Sequence, residues 1–253
     1  MKSEISLKDV CLDFPIYDTE SLSLRNRVSD MGKTIVTKSK KNHSKGKIIS
    51  AIKNINFNFK HGDRIALLGH NGSGKTTLLK LLAGIYSPTS GKINKIGETC
   101  SMLDIGFGFE QDATGYENII LSNVMRGSTK KEIDKMLPEI AEFSGLGEFL
   151  NMPLRTYSSG MQARLAFSSA IANSPEILLI DEFFSTGDIE FSRKSREKVM
   201  AMMSNSSILV FASHDLILLK KLCNKGICME NGEIIFSGET SEVIEYYKEI
   251  YEK

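Results

Sequence analysis

The sequence predicts an α/β fold in which buried strands alternate with helices and a further block of helices is inserted. Apolar runs at Arg64–Leu68, Ile177–Ile180 and Ser207–Ala212 have the length of buried strands. Glycine or polar residues follow each run directly, which is typical of the carboxyl edge of a parallel sheet. From Tyr116 to Phe149 apolar residues instead recur at helical spacing, and this pattern indicates the inserted helices.

Shorter patterns complete the predicted order of elements. Residues 4–16 alternate apolar and polar side chains, and Ile55, Phe57 and Phe59 do the same before a turn, so we expect an antiparallel β region at the N-terminus. Residues 29–47 are polar and basic and predict a surface loop. The other predicted elements are a helix at Thr76–Ala83, a strand at Lys92–Ile96, a hairpin at Ile227–Ser237 around Asn231-Gly232 and an acidic helix at Thr240–Glu252.

Composition and charge exclude several classes of protein. The 32 Lys+Arg and 31 Asp+Glu residues leave a net charge of +1, so no global field favours nucleic acid and we expect no nucleic-acid partner. The four cysteines lack the spacing of a zinc site and the density of a secreted disulfide scaffold. Acids and lysines near the N-terminus argue against a signal peptide, and no apolar run is long enough to span a membrane.

A glycine-rich stretch, G-H-N-G-S-G-K-T at residues 69–76, fits the phosphate-loop pattern and lies between a predicted strand and a predicted helix. Glycines let the backbone curl so that its N–H groups face phosphate oxygens, Lys75 neutralises those oxygens, and the Thr76 hydroxyl reaches Mg²⁺. A mere glycine-rich turn is the alternative, which the flanking elements disfavour. The predicted nucleotide-binding residues here are Gly69, His70, Asn71, Gly72, Ser73, Gly74, Lys75, Thr76 and Thr77.

Titratable side chains end two of the predicted strands. Asp181 lies at a carboxyl end, where we expect it to hold Mg²⁺ together with Thr76. Glu182 comes next and is the candidate that polarises the attacking water. His214 follows another strand and is the candidate that hydrogen-bonds the γ-phosphate and Glu182. The alternatives are an ordinary strand end with exposed acids and a structural histidine.

The stretch Tyr157-Ser158-Ser159-Gly160-Met161 opens a predicted helix that Ser158 caps. Alone, this is an ordinary helix start. Beside the other motifs, its backbone N–H groups are suited to a γ-phosphate, but the phosphate loop of the same chain already surrounds its own nucleotide. The stretch therefore predicts a second copy of the chain.

With these motifs in this order, the chain resembles the nucleotide-binding subunit of ATP-binding-cassette (ABC) transporters, and in particular the subfamily that exports lipid-linked cell-surface polysaccharide. The phrases that carry the second resemblance are Phe14-Pro15-Ile16-Tyr17, Gly69-His70-Asn71-Gly72, Thr114-Gly115-Tyr116-Glu117-Asn118 and Thr156-Tyr157-Ser158-Ser159-Gly160-Met161. The resemblance to ABC nucleotide-binding subunits implies a P-loop NTPase fold over residues 1–253. Its α/β core is expected at about 1–103 and 166–253, and its helical subdomain at about 104–165.

The resemblance also implies activity and partners. We expect an ATPase that binds ATP and Mg²⁺, forms a homodimer beneath two copies of a membrane permease at the cytoplasmic face of the bacterial inner membrane, and exports an undecaprenyl-diphosphate-linked glycan of the O-antigen type. By the same resemblance, Phe14 or Tyr17 is expected to stack on adenine, and Asp188 to lie in the loop that crosses to the other subunit. Ser158, Ser159 and Gly160 of one copy are expected to complete the nucleotide-binding site of the other copy.

Two departures from the family pattern stand out. The signature stretch reads Tyr-Ser-Ser-Gly-Met with Ser159 in place of a glycine, and the glutamine that commonly links Mg²⁺ to the permease is not evident, with Gln111 only nearby. Other functions remain open at this point. They are an exporter of teichoic acid or capsule, a soluble cassette protein acting on ribosomes or DNA, and a small-molecule kinase.

Overall fold

The computed structural model describes residues 2–16, 47–103, 105–106, 108–172, 175–182 and 189–252. Its strands are β1 (Glu4–Ile16), β2 (Lys47–Lys60), β3 (Arg64–Leu68), β4 (Ser90–Ile96), β5 (Thr99–Ser101), β6 (Ile177–Asp181), β7 (Ile208–Ala212), β8 (Lys225–Glu230) and β9 (Glu233–Glu239). Its α-helices are α1 (Lys75–Ala83), α2 (Gly115–Met125), α3 (Lys130–Ser144), α4 (Ser159–Ala170), α5 (Ile189–Asn205), α6 (Leu216–Leu222) and α7 (Thr240–Tyr251). Short 3-10 helices lie at Gly147–Asn151 and Leu154–Thr156.

The strands form two sheets. The smaller has the order β2-β1-β4 and is antiparallel, with Glu4 of β1 opposite Lys60 of β2 and Ile96 of β4. The larger has the order β5-β6-β7-β3-β8-β9 and is parallel except for β9, which pairs with β8 as a hairpin. The predicted α/β fold and antiparallel N-terminal region are thus confirmed. Strand β5 was not predicted, because three half-buried residues carry too little pattern.

The strand order brings the predicted functional residues to one edge. Strands β6, β7 and β3 are parallel neighbours, and Ala212 lies opposite both Asp181 and Leu67. Their carboxyl ends therefore lie side by side. The residues that follow each strand, the phosphate loop after β3, Glu182 after β6 and His214 after β7, emerge together there.

Strand residues alternate between two cores, one on each face of the large sheet. Ile177 and Leu179 of β6 point to a core shared with the small sheet and α1, whereas Leu178 and Ile180 point to one shared with α4, α5 and α7. All four side chains are at most 2% exposed, which explains why β6 reads as a continuous apolar run.

A third core joins α2, α3, the 3-10 helices and the start of α4. Its buried side chains are Ile119, Ile140, Leu146, Leu150, Leu154, Tyr157 and Leu165. Both α2 and α3 begin with a capping box, Thr114 with Glu117 and Thr129 with Glu132. The division into core and helical subdomain stays a prediction, and its C-terminal boundary at residue 165 falls inside α4.

In the part of the chain described here, no helix combines the length and the apolarity that crossing a lipid bilayer demands.

Candidate functional site

The phosphate loop is built from backbone conformations and close approaches that suit glycine. Gly72 and Gly74 have φ of +83° and +106°, in the left-handed region. A Cβ on Gly69 would lie 2.5 Å from both the Met229 carbonyl oxygen and Ser73 Oγ, so no side chain fits there. The loop therefore packs directly on the end of β8 and leads into the N-terminus of α1.

Lys75, the first residue of α1, folds back over the loop. Its Nζ donates hydrogen bonds to the carbonyl oxygens of Gly69 at 2.7 Å and His70 at 3.1 Å. Burial lowers the pKa of Lys75, while the carboxylates of Asp181 and Glu182 act in the opposite direction. An anionic phosphate placed in the loop would favour the charged amine, so this position suits a phosphate ligand.

Thr76 and Asp181 meet at the mouth of the loop, where the Thr76 hydroxyl donates a hydrogen bond to the Asp181 carboxylate. Hydroxyl and carboxylate oxygens are the ligands that Mg²⁺ prefers. In the described part of the chain no group of three His, Cys, Asp or Glu residues could hold a metal ion by itself. These two oxygens therefore fit a Mg²⁺ that takes its other ligands from phosphate and water.

Glu182 and His214 form a pair beside this mouth. Glu182 has φ of +64°, uncommon for a residue with a side chain, and its N–H donates to the Ala212 carbonyl oxygen at 2.8 Å. His214 Nε2 lies 3.3 Å from Glu182 Oε1, and both side chains are more than half exposed, at 56% and 59%. The strained backbone thus aims the carboxylate into solvent next to the histidine, where a water and a phosphate can reach both.

These groups line one open cleft of about 730 Å³. The predicted site residues that line it are Asn71, Gly72, Gly74, Lys75, Thr76, Thr77, Asp181, Glu182 and His214. Two other predicted residues, Gly69 and Ser73, are buried behind its surface. The cleft offers backbone N–H groups, a lysine, oxygen ligands for a metal and a carboxylate with a histidine, which together suit hydrolysis of a nucleoside triphosphate.

Comparison with known proteins identifies the family. Residues 52–185 match the ABC transporter family. The chain belongs to this family. It is 42% identical over 237 residues to the O-antigen export system ATP-binding protein RfbE of Yersinia enterocolitica, covering 92% of this chain and 96% of that protein. It is 36% identical over 246 residues to the teichoic acids export ATP-binding protein TagH of Listeria innocua, covering 97% of this chain and 70% of that protein.

Solved ABC structures share the fold. A dimeric structure of the ATP-binding cassette MJ0796, described as a post-hydrolysis state bound to ADP and Pi, aligns with a TM-score of 0.63. It is 21% identical and covers 93% of this chain and 98% of that chain. At this identity the likeness concerns the fold alone.

Part of the wall of this ABC cleft was not predicted. The turn between β8 and β9 and the start of β2 line it through Ile49, Ser50, Ala51, Lys53, Asn231 and Gly232. The Gly232 N–H donates to the Ser73 carbonyl at 2.9 Å, and the Lys53 N–H donates to the Gly232 carbonyl at 2.9 Å. The Asn231-Gly232 turn was predicted as a hairpin, but no local signal places it against a loop more than 150 residues earlier.

The predicted signature residues lie apart from the cleft of their own ABC subunit. Ser158 caps α4, and its hydroxyl accepts a hydrogen bond from the Met161 N–H at 3.2 Å. Ser158 and Ser159 are exposed and Gly160 is half-buried, so the N-terminus of this helix faces solvent. None of the three is among the residues that line the cleft. Their contact with a nucleotide in trans stays a prediction.

The adenine contact also stays a prediction. Phe14 is 37% exposed, and its ring meets that of Tyr86 edge-on at 5.5 Å between centroids. It does not line the cleft, although Ile49, its cross-strand partner on β2, does. Tyr17 and Asp188 lie outside the described residues.

The remaining predicted residue of the phosphate loop, His70, does not line the cleft, and its ring lies 5.7 Å from that of Tyr251 of α7 between centroids. Gln111, close to the position where a metal-linking glutamine was sought, uses its carbonyl to accept a hydrogen bond from the Arg155 N–H at 2.9 Å. It lies in a segment tied to the approach to α4 and does not line the cleft.

Proposed function

We propose that this chain is the ATP-hydrolysing subunit of an ABC exporter that moves lipid-linked cell-surface polysaccharide of the O-antigen type out of the cytoplasm. The observation that carries the proposal is its 42% identity to RfbE over nearly the whole of both chains. The cleft formed by the phosphate loop, Asp181, Glu182 and His214 supports the ATPase part. The subunit then works at the cytoplasmic face of the inner membrane as a peripheral partner of a permease.

The geometry of the phosphate loop supports ATP binding. The β- and γ-phosphates of ATP lie against the N–H groups of the phosphate loop and the start of α1. Lys75 then turns from the carbonyl oxygens of Gly69 and His70 to the phosphate oxygens. Thr76 and Asp181 would hold Mg²⁺, and a bound Mg²⁺ would neutralise negative charge on the phosphates. Adenine contact by Phe14 or Tyr17 belongs to the same proposal.

Hydrolysis is assigned to Glu182 and His214. The Glu182 carboxylate accepts a hydrogen bond from the attacking water and orients its lone pair toward the γ-phosphorus. The His214 imidazole, 3.3 Å from that carboxylate, holds it in place and reaches the γ-phosphate with its ring. The water oxygen bonds to the γ-phosphorus as the bond from that phosphorus to the β,γ-bridging oxygen breaks. One water proton passes to Glu182 and the other stays on the released phosphate, which leaves ADP and inorganic phosphate.

A second copy of the chain completes each site. The exposed N-terminus of α4, with Ser158, Ser159 and Gly160, donates N–H groups to the γ-phosphate held by the partner copy. Because the γ-phosphate then bridges both copies, binding of ATP closes the homodimer and hydrolysis lets it open. This cycle drives two copies of a permease.

We further propose that the permease contacts α2. Four large apolar side chains on one side of this helix are exposed, which is unusual in a protein without a partner; they are Ile120, Leu121, Val124 and Met125, at 39–57% exposure. A cavity of about 560 Å³ adjoins the end of the helix, and the buried Nε of Arg126 at its wall has no hydrogen-bond partner among the described residues. A permease segment would fit here if its apolar side chains cover the exposed side of α2 and a polar group accepts a hydrogen bond from Arg126 Nε.

Teichoic acid export is the second candidate. It is favoured by the 36% identity to TagH over 97% of this chain. Both candidates use the same ATPase and differ in cargo, so the cleft does not separate them. In either case the expected cargo is a glycan on an undecaprenyl-diphosphate carrier.

The proposed function is tested by export in the native host. Deletion of the gene should remove the glycan from the cell surface and accumulate its lipid-linked form inside, and wild-type chain should restore export where Lys75→Ala does not. The identity of the accumulated glycan decides between O-antigen and teichoic acid. Normal surface glycans after deletion, with the chain fractionating on ribosomes or DNA, would refute transport.

The permease contact has its own test. Val124→Asp places a charge on the exposed side of α2, where Val124 is 54% exposed. Ile250→Asp is the control, because it introduces the same charge at a position of α7 that is 42% exposed. We expect only the first to lose co-purification with the permease, while both keep the ATPase activity of the isolated chain. Equal retention of the permease by both variants would contradict this contact.

A further inference from the structure

The C-terminal helix α7 reaches the phosphate loop through its last residue. The Tyr251 ring lies 5.7 Å from the His70 ring between centroids, with the planes inclined at 59°. On its other side Tyr251 meets the ring of Tyr247, one turn earlier on α7, at 5.1 Å. His70 is thus held by an aromatic cluster that has no part in the cleft.

The position of α7 is set by close packing on β8. A Cβ on Gly226 of β8 would lie 2.7 Å from Val243 Cβ, so the helix rests directly on the strand. The end of the same strand approaches Gly69 in the same way through the Met229 carbonyl oxygen. The loop packs on β8 and β8 packs on α7, so the three elements form consecutive layers in direct contact.

The hydroxyl of Tyr251 is turned toward β8. Burial, together with the neighbouring Glu230 carboxylate, raises the pKa of the Tyr251 phenol to about 12. The phenol therefore stays neutral at physiological pH. His70 therefore meets an uncharged aromatic ring.

His70 in turn shapes the loop on which phosphate binding depends. Its Nδ1 lies 2.6 Å from the Asn71 carbonyl oxygen, and its own carbonyl accepts hydrogen bonds from Lys75 Nζ and from the Ser73 N–H, both at 3.1 Å. A displaced His70 would carry with it the backbone that orients Lys75. His70 does not line the cleft, so we expect it to act on a nucleotide through this backbone.

We propose that Tyr251 is a positioning residue for nucleotide binding: its ring holds His70 and thereby keeps the phosphate loop in its binding conformation. The inference rests on the proposed ATPase function, since it takes the loop to be the ATP site. It ties the affinity for ATP to the docking of α7. Glu182 and His214 line the cleft, whereas neither Tyr251 nor His70 does, so we expect the effect to fall on binding and not on the hydrolytic step.

The test compares three variants of the full chain for the dissociation constant of ATP, for KM and kcat, and for thermal stability. Tyr251→Ala removes the ring, Tyr251→Phe keeps it, and Tyr246→Ala removes a ring of the same helix that stacks on Phe236 at 4.6 Å. We expect Tyr251→Ala to raise the dissociation constant and KM about 2- to 12-fold at nearly unchanged kcat. Tyr251→Phe and Tyr246→Ala should bind ATP as the wild type does.

His70→Ala supplies the second measurement. In this background Tyr251→Ala should have no further effect on ATP affinity, because the contact is already gone. Equal ATP affinities for Tyr251→Ala and Tyr246→Ala would overturn the inference, as would a full effect of Tyr251→Ala in the His70→Ala background. Failure of the wild-type chain to bind ATP would instead refute the proposed function.

Discussion

Gly232 in the turn between β8 and β9 is the most informative position to perturb. It has φ of +83°, and a Cβ there would lie 2.5 Å from the Ala51 carbonyl oxygen and 3.0 Å from the Ala51 carbonyl carbon. Both are backbone atoms of β2, which cannot rotate away as a side chain can. Gly232→Ala must therefore shift either the turn or the strand, and both line the cleft.

The magnitude follows from two additive costs. A left-handed conformation costs a residue with a Cβ about 1–2 kcal/mol, and forcing an extra methyl group into a packed site costs about 1–3 kcal/mol. Gly232→Ala should thus lower the free energy of unfolding by about 2–5 kcal/mol. Gly62→Ala is the matched control, because Gly62 has φ of +92° and no atom of the described residues lies within 4 Å of its Cβ position. Gly62→Ala should lower the free energy of unfolding only by the cost of the left-handed conformation, about 1–2 kcal/mol.

Chemical denaturation measures both free energies, and titration with ATP measures binding at a temperature where both variants are folded. Because the Gly232 N–H holds the Ser73 carbonyl, Gly232→Ala should also weaken ATP binding, whereas Gly62→Ala should not. A stability loss no larger than that of Gly62→Ala, with unchanged ATP affinity, would show that the turn does not support the loop as described.

Three further predictions concern the site and its surroundings. Glu182→Gln should slow hydrolysis about 10²- to 10⁴-fold and accumulate an ATP-bound dimer in light scattering, and a monomer with ATP would count against the assigned role. The pKa of Lys75 is lowered by burial and phosphate favours its charged form, so ATP affinity should fall as pH rises through the alkaline range, while Lys75→Arg flattens that profile. Tyr157→Phe removes the 2.6 Å hydrogen bond to the Phe149 carbonyl and should cost about 1 kcal/mol in denaturation, and an unchanged midpoint would contradict that.

Local sequence determined most of the machinery of the cleft. The phosphate loop, Asp181, Glu182 and His214 all lie at the end of a short apolar strand or begin within two residues after it, and the carboxyl ends of parallel strands share an edge. Each short segment therefore determines both which functional group it carries and where that group lies on the sheet. For this reason the sequence predicts that these groups meet at one edge. The same holds for α2 and α3, where a capping box opens each helix.

Only the tertiary structure decided which distant segments complete the site. Ala51 and Gly232 meet because β2 crosses the hairpin turn, Tyr251 meets His70 because α7 packs on β8, and Phe14 turns its ring edge to Tyr86 instead of lining the cleft. None of these pairs shares a periodicity or a motif. Contacts between segments far apart in the chain depend on how the layers pack. An amino-acid pattern predicts that a side chain is buried but not which residue it contacts.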